Sequence, residues 1–353
     1  MNIILIILVF GVIVFFHEFG HFIVAKLNKI AVMEFSIGMG PAIFSFKKKE
    51  TKYSLRLLPI GGYCMMMGED EETDDENAFS NKPLLARILV IAAGPVFNFI
   101  LAFVFSIIMI HFTGYDPATL NYVGENSAAE EAGLVVGDTV TEINGKNIYN
   151  YREILIYMQA NDTSKPVTFT IAHADGTTGK VVLTPKQSED GSYMFGVEDP
   201  KGIYVASTGF GNDVKYAAYE LRYWVKATVT GLRMIVTGGV KSGDIMGPVG
   251  VGNAMNDVIE EAKDVSDTKK EAVINVLLNL LNWCILLSVN LGIMNLLPIP
   301  ALDGGRLLFL FIEGIRRKKI PQDKEAIVNA IGFVLLMILM VVVFFNDIKN
   351  AFF

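Results

Sequence analysis

His17-Glu18-Phe19-Gly20-His21 carries the densest chemistry in this chain. Residues at i and i+4 share one face of a helix, so His17 and His21 can grip one metal ion. Glu18 beside them can take a proton from a metal-bound water. A catalytic zinc needs a third protein ligand and one open position. A second constellation, Asn295-Leu-Leu-Pro298-Ile-Pro300-Ala-Leu-Asp303-Gly-Gly305, offers a carboxylate. Pro298 and Pro300 disrupt a regular helix, and irregular backbone inside a membrane survives only where it is buried in protein or lines a wet cavity. Asp303 is the carboxylate of that break; the alternative is that it only caps Arg306. Gly94-Pro95 and Asn98 are read as a further interruption of an apolar run. For Asn98 and Asn290, interhelical hydrogen bonding and substrate contact both stay open.

These residues need elements to hold them, and composition says which. Of 353 residues, 52% are hydrophobic and only 19% charged, against about 25% charged in soluble domains. Mean hydropathy is +0.43. That excludes a disordered chain and argues against an ordinary soluble enzyme. The net charge of −7 argues against a nucleic-acid partner. The apolar excess collects in four blocks, at about 1–25, 88–112, 276–302 and 326–345. Each is long enough, at about 1.5 Å per residue, to cross a hydrocarbon core of about 30 Å. The first lacks a basic start and a small-residue cleavage site, so it is expected as a retained span rather than a signal peptide. Two histidines and a glutamate in such a span are costly and need a purpose.

Orientation follows from the basic residues. Lys29, Lys47–Lys49, Lys52, Arg56, Lys82 and Arg87 lie between blocks one and two. Arg306, Arg316, Arg317, Lys318, Lys319 and Lys324 lie between blocks three and four. Both segments are expected to face the cytoplasm, with both termini and the long segment 113–275 outside. Cys64 then falls in a reducing loop and Cys284 within the membrane, so no disulfide is expected.

Residues 115–200 alternate short β-rich runs with turns such as Asn144-Gly145 and Asp175-Gly176, around one helical stretch at 151–160. Residues 205–275 read as amphipathic helix. Tyr216, Tyr219, Tyr223 and Trp224 there suit either a membrane interface or a small helical core. Residues 34–62 alternate apolar and polar residues, as one or two hairpins. The stretch from Glu69 to Glu76 holds seven carboxylates in eight positions. It reads as a solvated acidic segment rather than a calcium loop, because its spacing is not that of an EF-hand.

The run GENSAAEEAGLVVGDTVTEINGKNI at 124–148 resembles a PDZ domain. HEFGH in the first span, GPVFN in the second, MGPVG at 246–250 and NLLPIPALDGG at 295–305 together resemble the site-2 protease family. More narrowly, they resemble the bacterial zinc metalloproteases of regulated intramembrane proteolysis. The resemblance implies one zinc ion held by His17, His21 and Asp303, with Glu18 as catalytic base. It implies that Asn290, Asn295 and Pro298 help hold the substrate; Asn98, from its place in the second span, is a candidate substrate contact beside them. The loop 35–62 resembles that family's membrane-associated β-hairpin region, which pairs with the substrate chain.

The expected architecture is a polytopic α-helical membrane protein of four transmembrane helices. It carries a cytoplasmic-side membrane-associated β-hairpin loop and an extracytoplasmic PDZ-like α+β domain. The expected segments are 1–27, 28–87, 88–112, a PDZ-like 113–203, a helical 204–275, a third span with its zinc loop at 276–305, a basic 306–325, and 326–346. The implied place is the bacterial plasma membrane, with the active site toward the cytoplasmic half of the bilayer. The implied partners are the lipid bilayer and pre-trimmed single-pass substrates, such as anti-sigma factors or signal-peptide remnants. The PDZ-like domain is expected either to bind a peptide or to exclude substrates with bulky outer domains. A metal-ion transporter is the first alternative, because intramembrane His, Asp and Asn can line a pathway. A membrane-anchored PDZ scaffold is the second, and it leaves HEFGH and LDGG unexplained.

Overall fold

The computed structural model describes residues 2–69, 71, 73–162, 164–187, 193–197, 204–239 and 246–352. Asp70 and Glu72 of the acidic stretch lie outside the described residues, as do 188–192 and 198–203 of the expected PDZ-like domain. The chain forms two compact units: residues 1–105 with 238–353, and residues 106–237.

The first unit opens with α1 (Asn2–Leu27), an almost wholly apolar helix. Two long strands follow, β1 (Val32–Lys48) and β2 (Thr51–Met66). Their register is more elaborate than one hairpin. Residues 32–37 pair on one side with 62–66 (Val32↔Met66, Ile37↔Gly62) and on the other with 52–55 (Glu34↔Lys52, Ile37↔Leu55). Residues 44–48 also pair with 51–55. Four short runs therefore lie side by side in the order 62–66, 32–37, 51–55, 44–48, which leaves 62–66 at an edge. Glu34 stitches the middle of this sheet, accepting from Ser54 Oγ at 2.6 Å and Arg56 Nη2 at 2.8 Å.

α2 (Leu84–Thr113) runs without a break through Pro95. The expected interruption at Gly94-Pro95 is thus corrected: the missing proline donor is absorbed inside a continuous helix. After the second unit the chain returns as α6 (Pro248–Asp264) and α7 (Lys269–Leu296), numbered after the helices α3 to α5 described below. An irregular segment, 297–302, leads into α8 (Asp303–Arg316), and α9 (Gln322–Phe352) follows. The third apolar block therefore ends as a helix at Leu296, not at 302. Asp303 begins a separate helix that the expected basic segment had concealed. Among the described residues, α1, α2, α7 and α9 are the four helices long and apolar enough to cross a membrane.

α1 is gripped by two cores. Ala25, Phe35, Cys64, Met66, Val90, Ile91, Leu307 and Leu310 join it to the sheet, α2 and α8. Val9, Ile13, Met255, Ile259, Leu280 and Cys284 join it to α6 and α7. The two cysteines sit in different cores and both are free. The MGPVG motif enters α6. The backbone N–H groups of Gly247, Val249 and Gly250 donate to the Asp347 carboxylate of α9 at 2.8, 3.0 and 2.9 Å. A carboxylate against a helix N-terminus satisfies donors that would otherwise be orphaned.

The second unit contains α3 (Ala128–Glu131), β3 (Thr139–Ile143), β4 (Lys146–Asn147) and α4 (Arg152–Ala160). β5 (Val167–Ala172), β6 (Thr178–Leu183), β7 (Lys186–Gln187), β8 (Tyr193–Met194) and α5 (Phe210–Val236) complete it. An antiparallel sheet runs in the order β4-β3-β5-β6. Asn144 and Gly145, at φ 49° and 74°, make the β3–β4 turn, as an Asn-Gly hairpin signal requires. Val140, Ile143, Ile154, Phe169, Ile171 and Phe195 form its core.

The division at 237/238 falls inside the stretch expected as one helical segment, because α5 is joined to the α/β unit. Arg152 of α4 donates to Asp116 and to Glu220 of α5. Tyr115 stacks on Tyr216 at 3.5 Å, and Tyr149 on Tyr219 at 4.4 Å. Tyr223 and Trp224 flank the Arg152 guanidinium. These aromatics are half-buried against the α/β unit.

Candidate active site

The i, i+4 spacing on α1 does what helical geometry requires: Nε2 of His17 and Nε2 of His21 lie 3.4 Å apart. Both rings are buried, at 7% and 6% exposure. α8 delivers Asp303, whose Oδ2 lies 3.1 Å from Nε2 of His17 and 3.5 Å from Nε2 of His21. Ligands around a tetrahedral zinc at bond lengths of about 2.0–2.1 Å stand about 3.3 Å from one another. The three observed edges bracket that value. Asp303 Oδ2 is also buried and accepts no hydrogen bond, despite two ring nitrogens within reach. Atoms aimed at a common centre, rather than at each other, fit a cation between them. The set fits zinc by donor type and count, and three protein ligands leave a fourth position open. These three form a metal-competent group among the described residues.

α2 supplies the outer contacts that orient the two rings. Nδ1 of His21 donates to the Val90 carbonyl at 2.9 Å, which leaves its Nε2 free to ligate. The Asn98 carboxamide lies 3.1 Å from Nδ1 of His17, through Nδ2. Its Oδ1 is buried without a partner. Ligation through Nε2 leaves the proton of His17 on Nδ1, and the amide orientation that turns Oδ1 toward it lets His17 donate to Asn98. Asn98 is fully buried, and its amide makes an interhelical contact with His17.

α2 comes this close because small residues face each other. A Cβ on Gly20 would meet the Ala93 carbonyl oxygen at 2.4 Å, and one on Gly94 would meet Nε2 of His21 at 2.2 Å.

The edge run 62–66 passes beside Glu18. A Cβ on Gly62 would stand 3.3 Å from Cγ of Glu18, and the Cys64 backbone N–H faces the Glu18 carboxylate. Glu69 ends this edge, accepting from the Met66 N–H at 3.3 Å and pairing with Arg306 of α8. Arg306 thus has Glu69 as its carboxylate partner, and Asp303 is directed to the histidines. Asn290 lies half-buried on α7, Asn295 half-buried in its last turn, and Pro298 exposed in the segment that follows.

Residues 5–339 match the profile of Peptidase family M50. The chain belongs to that family. It is 37% identical to a Clostridium acetobutylicum relative over 98% of this chain and 97% of that one. It is 34% identical to the zinc metalloprotease RasP of Geobacillus kaustophilus, over 99% of this chain and 98% of that one. It is also 34% identical to the regulator of sigma-W protease RasP of Bacillus subtilis, over 98% of each. Among solved structures, the PDZ domain of the SdrC-like protein from Listeria monocytogenes covers 24% of this chain and 86% of its own length. Its identity is 20% and its TM-score 0.21.

Two contributors to the M50 site were not foreseen in the sequence. The Val90 carbonyl is invisible because any residue supplies one. Gly94 was noted only as a helix interruption, although a glycine next to proline in an apolar span also signals close helix approach.

Proposed function

We propose that this M50 peptidase hydrolyses a peptide bond in or near a transmembrane segment of a pre-trimmed, single-pass membrane protein. The chain is a zinc metalloprotease and a multi-pass membrane protein. The observation that carries the reading is the triangle of His17, His21 and Asp303, closed at zinc-ligand spacing, with Glu18 one residue from the first ligand. His17, His21 and Asp303 hold the metal, and Asn98 and the Val90 carbonyl orient the two rings. Zinc bound there supplies Lewis-acid polarisation of a carbonyl and lowers the pKa of water. Glu18 accepts the proton of the attacking water and returns it to the leaving amine.

A helical substrate must first be unwound, because its carbonyls are occupied by i→i−4 bonds. An opened segment is held extended along the 62–66 edge beside Glu18, as a strand added to the sheet. Asn290, Asn295 and Pro298 contact that segment. The sheet and the 306–325 segment face the cytoplasm of a bacterial cell, and both termini and the segment 113–275 face outside, as the basic residues indicate. The PDZ-like segment 113–203 acts as a selectivity filter or binds a peptide tail. The name of the Bacillus subtilis relative supports anti-sigma factors as substrates; signal-peptide remnants have the same chemistry.

Glu18→Gln is expected to retain zinc and to lose about 10²–10⁴-fold in cleavage of a membrane-embedded substrate. Cleavage at a comparable rate by that variant would sink the assignment. Trapping with the same variant in cells, read by mass spectrometry, identifies the substrate.

A further inference from the structure

This inference rests on the reading of His17, His21 and Asp303 as the zinc set. α9 is the least enclosed of the four apolar spans, with 6% of its most apolar window buried. A carboxamide in such a helix needs a partner, and Asn329 has one. Its Oδ1 accepts from the backbone N–H of Ala301 at 3.2 Å. Ala301 is an unusual residue. Its φ is +72°, whereas the other described non-glycine residues at positive φ are lysine, asparagine or arginine. A Cβ is penalised sterically in that region, and alanine has no polar side chain to compensate locally. The left-handed turn lies where the chain leaving α7 reverses into α8, two residues before Asp303. Its other bonds are local: Leu302 N–H to the Ile299 carbonyl at 3.2 Å and Gly305 N–H to the Leu302 carbonyl at 3.0 Å.

Gly332 lies three residues beyond Asn329, on the same helix face. A Cβ there would stand 2.4 Å from Cβ of Pro300 and 2.7 Å from its carbonyl oxygen. α9 therefore lies directly against Pro300, and the exposed Asn329 bond to Ala301 is made beside that close approach.

We propose that Asn329 is a positioning residue for the zinc ligand Asp303. It holds the Ala301 amide in the left-handed turn, and that turn sets where α8 begins and hence where Oδ2 of Asp303 stands against the two histidines. The fourth span thereby acts on the metal site without touching it.

The test uses the full-length chain in detergent, loaded with zinc, with release followed by a chromophoric chelator. Asn329→Leu should release zinc about 10–100-fold faster, the range typical for loss of a ligand-orienting contact. Adding Ala301→Gly to that variant should bring release back to within a few-fold of wild type, because glycine adopts positive φ without support. Cleavage should follow with a fall in kcat at little changed KM. Unchanged release by Asn329→Leu, or failure of Ala301→Gly to rescue it, overturns the proposal. Asp303→Ala is the control that separates the two levels. If it releases zinc while Asn329→Leu does not, only the role of Asn329 falls; if it holds zinc as wild type does, the ligand set itself is wrong and the proposal falls with it.

Discussion

A single methyl group at Gly94 tests the metal geometry. The Cβ of Gly94→Ala would stand 2.2 Å from Nε2 of His21 and 2.9 Å from Cε1 of His17. Ordinary contact begins near 3.4 Å, so the His21 ring must retreat by about 1.2 Å (3.4 minus 2.2). Zinc–ligand distances tolerate displacements of only about 0.2 Å. α2 cannot yield freely instead. The Val90 carbonyl, one turn before Gly94, holds the His21 ring at 2.9 Å, and Asn98, one turn after it, holds His17 at 3.1 Å. Gly94→Ala should therefore weaken zinc binding by at least the 10–100-fold that follows from disturbing an orienting contact, with cleavage falling in parallel. The assay is zinc per chain by elemental mass spectrometry after dialysis against a graded chelator series. Gly252→Ala, whose Cβ meets nothing within 4 Å, is the matched control. One zinc per chain at wild-type chelator resistance in Gly94→Ala would refute the proposed packing of α2 against the histidines.

Three further outcomes follow from the same geometry. Asn98→Leu should lose about 10–100-fold in zinc affinity while Asn98→Asp, which keeps an acceptor on the His17 Nδ1–H, retains most of it; equal losses would show that volume and not the hydrogen bond matters. Arg152→Met leaves the buried carboxylates of Asp116 and Glu220 without their shared counter-charge. The expected cost is about 3–5 kcal/mol, read as a lower melting temperature of the full-length chain; an unchanged melting point would contradict it. In the β1–β2 sheet, burial opposes ionisation of Glu34, but hydrogen bonds from Ser54 and Arg56 outweigh it and bring its carboxyl down to about 2 from an ordinary 4.5. A depressed carboxylate stabilises fully above its unfolded pKa and ceases to do so as pH falls through the folded one. Protection of residues 32–66 from proteolysis should thus decline between about pH 4.5 and 2 and lose that pH dependence in Glu34→Gln.

Much of the site was legible in the chain because its signals are local. The pairing of His17 with His21 follows from a 3.6-residue period, and the four spans follow from length and apolarity. Pro298 and Pro300 flagged the break that precedes Asp303. The misjudged places were those where a local signal had two physical outcomes. Gly94-Pro95 suggested a break, but a helix packed on neighbours absorbs a proline. α8 was missed because its basic end resembles a loop, whereas Leu307 and Leu310 carry its buried face. The sheet order placing 62–66 at the edge was not readable, since alternation sets which face a residue joins and not which run lies beside it.

The sequence by itself determined the membrane class, the chemical types of the proposed metal ligands and the face of α1 that presents two of them. Each of these depends on neighbours within a turn or two, where covalent geometry is decisive. Only the tertiary structure decided that Asp303 closes the triangle, that Asn98 addresses His17 and that Asn329 reaches Ala301. Those distances come from how closely α1, α2, α8 and α9 approach. That approach is set by small residues facing one another across helices and by turns such as Ala301, whose consequences appear only when the whole chain is packed.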